Sequence, residues 1–182
     1  MSSATHTDGL PMPRRLGAIL AVAFGVGLSV LDATVVGVAL PTLSREMGVS
    51  SADSIWIVNA YQLATVVALL PLSALGDSLG YRRIYVAGLA LFTLASALCA
   101  LAGTYPLLVA GRVLQGFGAA AVTSVNTTLI RIIYPRAQLG RGMGINATVV
   151  AVSSVAGPTV AGALLAVGDW PWLFAVNLPV GV

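Results

Sequence analysis

The sequence predicts an all-α fold, a polytopic bundle of membrane-spanning helices. Three observations predict it. The 182 residues are 58% hydrophobic and only 8% charged, whereas soluble domains carry about 25% charged residues. The apolar residues gather into five long runs, at 16–40, 54–75, 84–102, 107–130 and 142–167, each close to or above the roughly 20 residues that take a helix across a bilayer. The links between runs are short, and arginine is concentrated in every second one.

Composition also removes several function classes. All nine basic residues are arginine. A net charge of +3 would suggest nucleic acid for a soluble protein, but here eight of the nine arginines lie outside the apolar runs, so no nucleic-acid partner is expected and the bilayer itself is the surround. His6, the only histidine, lies in the polar leader, which leaves histidine catalysis and metal binding without groups. Cys99, the single cysteine, falls inside the third run. It excludes an internal disulfide and reads as a small buried hydrophobe. No cofactor is implied, and the chain does not read as an enzyme: no Gly-x-Ser-x-Gly elbow occurs.

Taken in order, residues 1–15 form a cytoplasmic tail. Its first 13 residues are polar, Pro/Gly-containing and aperiodic, as in a disordered terminus. Arg14 and Arg15 then anchor the first run, which is longer than the about 7–15 residues of a signal-peptide core and therefore an uncleaved span. Four spans follow. A sixth run starts at Leu173 and reaches only Val182, too short to cross a bilayer as a helix; the chain reads as ending within a helix, as a fragment or truncated product would. Arg14, Arg15, Arg82, Arg83, Arg131, Arg136 and Arg141 share one set of links, and Arg45 alone marks the other. That bias predicts a cytoplasmic N-terminus in a plasma membrane, the bacterial inner membrane fitting best. Trp170 and Trp172 fit an interface belt at the opposite side.

Two charges break the apolar runs: Asp32 in the first and Arg112 in the fourth. A carboxylate at depth costs on the order of 2.5–3.5 kcal/mol on insertion scales, so it normally faces a bundle interior with a partner. At 1.5 Å rise per residue, Asp32 lies roughly 6 Å and Arg112 roughly 10 Å to the outer side of the midplane, within about one helical turn of each other. Matched depth makes them candidates for pairing. Two other readings stay open: Arg112 snorkels to the outer interface, or Asp32 only orients Arg112. Gln115 shares the face of Arg112 three residues on. Asn59, Gln62, Asn126, Asn146, Ser153 and Ser154 add polar groups within the spans.

Several stretches resemble the major facilitator superfamily, and within it the fourteen-helix drug:proton antiporters. Leu31-Asp32-Ala33-Thr34-Val35-Val36-Gly37-Val38-Ala39-Leu40-Pro41 is similar to that branch's first-helix motif, with Gly37 in place of the usual Asn. Trp56, Tyr61 and Leu63 match the second-helix pattern, with Asn59 where Thr is common. Leu75-Gly76-Asp77-Ser78-Leu79-Gly80-Tyr81-Arg82-Arg83 resembles the cytoplasmic signature loop, with Ser73 replacing its leading Gly. Its two glycines permit a tight reversal, and Asp77 can bond the Arg82–Arg83 pair or nearby helix ends. Gly111-Arg112-Val113-Leu114-Gln115-Gly116-Phe117-Gly118 resembles the fourth-helix motif, whose Arg is implicated in proton coupling. Ser153 to Gly162 is similar to the fifth-helix antiporter motif, with Gly157, Pro158 and Gly162 kept and Ser153 and Ala161 replacing glycines. Small residues there allow close helix approach and Pro158 favours a kink; a merely structural kinked helix is the other reading. Trp170 to Phe174, with Asn177, Pro179 and Gly181, resembles the start of helix six, with Pro171 for the usual Arg.

The resemblance implies the N-terminal half of a major facilitator transporter: one bundle, 16–182, with five full spans and an incomplete sixth. It implies proton-driven export of small lipophilic or cationic compounds by alternating access of two bundles, with the proton gradient as energy source and a C-terminal bundle as partner. Asp32 and Arg112 are then the proton-coupling pair. Burial opposes the charged form of Asp32 and Arg112 favours it, so substrate or conformation can tip its protonation. Asn59, Tyr61, Gln62, Gln115 and Asn146 are candidates for lining the substrate cavity. Gly76, Asp77, Gly80, Arg82 and Arg83 would form the latch between the two halves. Alternatives from other classes are a non-transporting membrane remnant or assembly partner, and a nutrient symporter or uniporter of the same superfamily.

Overall fold

The computed structural model describes residues 9–181, with side chains placed through 179; the leader through residue 8 and the last residue, Val182, lie outside the described part. The described residues form helices and turns without a strand. Five helical segments are long and apolar enough to cross a membrane. The first is α1 (Arg14–Glu46). A single turn, α2 (Ser51–Ser54), leads into α3 (Trp56–Leu79), and these together make the second. The third and fourth are α4 (Tyr81–Ala100) and α5 (Tyr105–Ile133). A short 3-10 turn at Arg136–Gln138 opens the fifth, α6 (Leu139–Val167). Two single-turn helices, α7 (Trp172–Ala175) and α8 (Leu178–Gly181), occupy the sixth run.

The helices outrun the apolar runs at both ends. α1 continues through Pro41 to Glu46, where the sequence suggested a stop. Proline removes one backbone bond and crowds the carbonyl four residues back; that residue is Gly37, which brings no side chain to the crowded turn. The stop comes at Gly48, whose φ of +62° lets Val49 N–H reach the Ser44 carbonyl, a left-handed helix end. Pro71 and Pro158 likewise lie inside α3 and α6. Residues 9–13 are not a free tail. Leu10 N–H donates to the Ile133 carbonyl at 3.1 Å, and Arg15 reaches Leu10 O at 2.9 Å and Gln138 Oε1 at 3.2 Å, so this stretch is tied to the α5–α6 turn.

The α3–α4 reversal needs one glycine, not two. Gly80 is the only residue between these helices and has φ +96°, which L-residues with side chains rarely adopt. Gly76 is instead a buried helical residue: a Cβ there would meet Val125 Cγ1 at 2.9 Å and Tyr81 Cδ1 at 3.0 Å. Asp77 accepts a hydrogen bond from the Tyr81 hydroxyl rather than from Arg82 or Arg83, which are both exposed.

α5 is the most buried of the five segments and α6 the least. α5 packs closely on α3 and α4, and α1 packs on α6. Small residues set these approaches, as van der Waals packing without a hydrophobic drive requires in lipid. A Cβ on Gly118 would stand 2.6 Å from the Phe92 nitrogen, and one on Gly116 2.5 Å from the Tyr61 carbonyl oxygen. α1 and α6 meet where Thr34 lies against Gly157, with Ala161 buried one turn on. Gly162 is exposed, with no atom near enough to touch a Cβ, so Gly157 and Ala161 make the contact face. One apolar core, including Val36, Leu43, Ile57, Leu108 and Phe174, fills the end near α7; a second, including Val22, Tyr85, Val125 and Ile133, fills the end near residues 9–13. A polar cluster separates them.

Candidate functional site

The cluster takes its polar groups from α1, α3, α4, α5 and the break between α7 and α8, and it is fully enclosed. Asp32 on α1 and Arg112 on α5 are 1% and 0% exposed, so snorkelling to an interface is ruled out for Arg112. Arg112 Nη1 donates to Asp32 Oδ2 at 2.5 Å and to Gln115 Oε1 at 2.6 Å. Its Nε donates to the Ile57 carbonyl at 3.0 Å, a backbone oxygen near the start of α3. The guanidinium carbon sits 4.2 Å from the centroid of the Tyr61 ring and 5.9 Å from that of Phe174. Stacking of this kind suits a desolvated guanidinium.

Gln115 lies one helical turn from Arg112 and joins three elements. Its Nε2 donates to Asp32 Oδ1 at 2.9 Å and to Ser96 Oγ on α4 at 2.8 Å. Asn177, in the two-residue break between α7 and α8, donates Nδ2 to the same Asp32 Oδ1 at 2.7 Å and to Ser96 Oγ at 3.3 Å. Ser96 in turn donates to the Phe92 carbonyl at 2.8 Å. The carboxylate thus accepts three N–H donors, one of them charged. Charge-assisted bonds of this sort are about twice as strong as neutral ones, and they offset part of the desolvation of the two buried ions. Two polar atoms in the cluster, Arg112 Nη2 and Asn177 Oδ1, are buried without a partner.

The structure separates the other sequence candidates. Tyr61 is buried, its ring under Arg112 and its hydroxyl donating to the Ser29 carbonyl at 3.2 Å. Gln115 belongs to the Asp32–Arg112 cluster. Asn59 and Gln62 are exposed on α3 and make no hydrogen bond to the cluster; the two lie three residues apart and share a face that turns away from α5. Asn146 accepts from Asn126 Nδ2 at 3.0 Å, joining α5 to α6, beside a small cavity bounded by Ile19, Ile133 and Tyr134. Gly76, Asp77, Gly80, Arg82 and Arg83 lie at the end of the bundle where α3 meets α4. Ser96 and Asn177 are the residues that sequence reasoning did not assign to the site. Ser96 leaves little trace because a serine can satisfy itself on its own helix. Asn177 did carry a signal, an amide in an apolar stretch.

Comparison with known proteins agrees with this architecture. Residues 22–182 match the family model of the Major Facilitator Superfamily. The chain is 55% identical over 177 residues to an uncharacterized transporter, YebQ, of Escherichia coli strain K12, covering 97% of this chain and 39% of that protein. It is 37% identical over 186 residues to the tetracenomycin C resistance and export protein of Streptomyces glaucescens, covering 100% of this chain and 34% of that one. The chain therefore spans well under half the length of these relatives. Among solved structures, a bacterial homolog of the human lysosomal transporter Spinster, inward-facing and unoccupied, superposes with a TM-score of 0.78 at 21% identity over 95% of this chain and 41% of that one, a likeness of fold alone. With most of its length inside the family model and its apolar helices packed as they are, this multi-pass membrane chain belongs to the major facilitator superfamily.

Proposed function

We propose that this chain supplies the proton-coupling half of an exporter of small lipophilic or cationic compounds, the activity belonging to a protein of its relatives' length. The observation that carries the reading is the enclosed Asp32–Arg112 pair, 2.5 Å apart. While both are ionised the pair is neutral and the bundle is closed around it. Protonation of Asp32 leaves the guanidinium in hydrocarbon with only neutral acceptors, Ile57 O and Gln115 Oε1. An unpaired buried charge is costly, so the conformation that hydrates it gains population. That is the differential free energy a proton needs to drive alternating access.

Other features fit the same reading. The exposed Asn59 and Gln62 are suited to line a path between this bundle and a second one. Asp77, Arg82 and Arg83 stand at the surface, free of ion pairs with one another, where they can latch a second bundle. The arginine bias favours a cytoplasmic N-terminus in the plasma membrane. The relative named for tetracenomycin C export supports drug efflux, and a relative named as a riboflavin transporter keeps a nutrient substrate as the second reading.

The test is substrate flux in proteoliposomes holding a full-length transporter that contains these residues, with an imposed proton gradient. Asp32→Asn is expected to abolish gradient-driven export while leaving substrate exchange at equal pH. Undiminished export with an unchanged pH dependence would remove Asp32 from the mechanism. Accumulation of substrate in the same direction as proton entry would make the protein a symporter instead.

A further inference from the structure

Every group that reaches the Asp32 carboxylate does so through N–H. Arg112 serves Oδ2, and Gln115 and Asn177 serve Oδ1. Such a set suits a carboxylate. A carboxylic acid in the same place has an O–H and no acceptor to receive it, and a buried unsatisfied donor is expensive. Arg112 cannot help, since a guanidinium has no acceptor. One of the two amides must present its oxygen instead.

The two amides are not equivalent. Gln115 Oε1 is held by Arg112 Nη1 at 2.6 Å, and turning that amide breaks a charge-assisted bond. Asn177 Oδ1 is buried and without a partner, so turning its amide breaks no bond to that oxygen and gives up only the Nδ2 bonds to Asp32 and Ser96, neither of them to a cation. The turn brings Oδ1 to the position now held by Nδ2, 2.7 Å from Asp32 Oδ1. Ser96 Oγ, which now accepts from Nδ2 at 3.3 Å, can serve the new arrangement by turning its single O–H from the Phe92 carbonyl to the amide oxygen, because a hydroxyl both donates and accepts.

We propose that Asn177 is a positioning residue that follows the protonation state of Asp32, offering Nδ2 to the carboxylate and Oδ1 to the acid. The proposal rests on the reading of Asp32 as the proton-accepting group. The other titratable groups facing Asp32 are Arg112 on α5, Tyr61 on α3 and Cys99 on α4; α7 and α8 contain none, and α6 carries only Arg141, exposed near its start. None of these supplies the missing acceptor in place of Asn177. Because Asn177 occupies the break between α7 and α8, the reversal acts where the sixth run is not continuously helical. A proton is thereby read out at the break in that segment.

Infrared difference spectra between high and low pH test this on the protein in lipid, with asparagine side-chain carbonyls carrying carbon-13. The expected result is an acid carbonyl band that disappears in Asp32→Asn, accompanied by a shifted labelled amide band that disappears in Asn177→Leu. In Asn177→Leu the acid band moves to the higher frequency of an unbonded acid. In Asn177→Ser, whose hydroxyl can take either role, it stays near its original place; that variant keeps the test available if Asn177→Leu does not fold. An Asp32-dependent acid band with no labelled amide shift overturns the proposal and leaves Asp32 coupling intact. Absence of any Asp32-dependent acid band overturns both.

Discussion

Arg112 shows how one side chain sets the register of a membrane interior. Its fork reaches a backbone carbonyl on α3, a carboxylate on α1 and an amide on its own helix, and its flat face lies on Tyr61. A lysine ammonium has three donors but neither the planar fork that spans these acceptors nor a flat face to lay on Tyr61. Arg112→Leu alone strands Asp32 and is expected to cost about 3–5 kcal/mol, read as a lower melting temperature in detergent. Arg112→Leu combined with Asp32→Asn should lose clearly less than the sum of the two single changes. Strict additivity would show that the pair carries no coupling energy. Arg112→Lys is expected to melt below the wild type for want of the fork.

At the scale of elements, the glycines divide by what they touch. Gly118 lets α5 press against the backbone of α4, with a Cβ falling 2.6 Å from the Phe92 nitrogen. Backbone cannot step aside as a flexible side chain can, so Gly118→Val should destabilise by about 1–3 kcal/mol through overpacking. Gly162 has the same chemistry and the opposite surroundings, with no atom within 4 Å. Gly162→Ala should be neutral or stabilise by up to about 1 kcal/mol through helix propensity. Thermal unfolding of both variants in one detergent decides the matter: equal effects would mean that close approach does not distinguish them. The same contrast assigns the α1–α6 contact to Gly157, where Thr34 leaves no room.

At the scale of the whole molecule, two tightly packed regions, α3–α4–α5 and α1–α6, close around one polar cluster. α1, α3, α4, α5 and the α7–α8 break each lend a group to it, so the cluster ties the bundle together across its width. Orientation is testable with thiol labelling, since Cys99 is buried and leaves a quiet background. Ser78 and Thr104 are exposed at opposite ends of the helices. In intact cells, Thr104→Cys should react with a membrane-impermeant maleimide and Ser78→Cys only after permeabilisation. The reverse pattern would invert the topology drawn from the arginines.

The amino-acid order by itself determined the all-α class, the five spans, and the two residues whose charge is out of place. These are local facts: a run's length and polarity are written in consecutive residues, and a charge in hydrocarbon announces its own cost. Asp32 and Arg112 were legible together because helix rise converts sequence position into depth. Tertiary structure alone decided the rest. Gly80 turns the chain and Gly76 packs, although the two look alike in sequence. Tyr61 underlies a guanidinium, which the sequence did not show because an aromatic in an apolar run gives no hint of which face it occupies. Ser96 and Asn177 complete the carboxylate's environment from positions far along the chain, and no local pattern records which distant polar atom a buried group will meet. Partners for buried charges are chosen by packing, and packing is a property of all the helices at once.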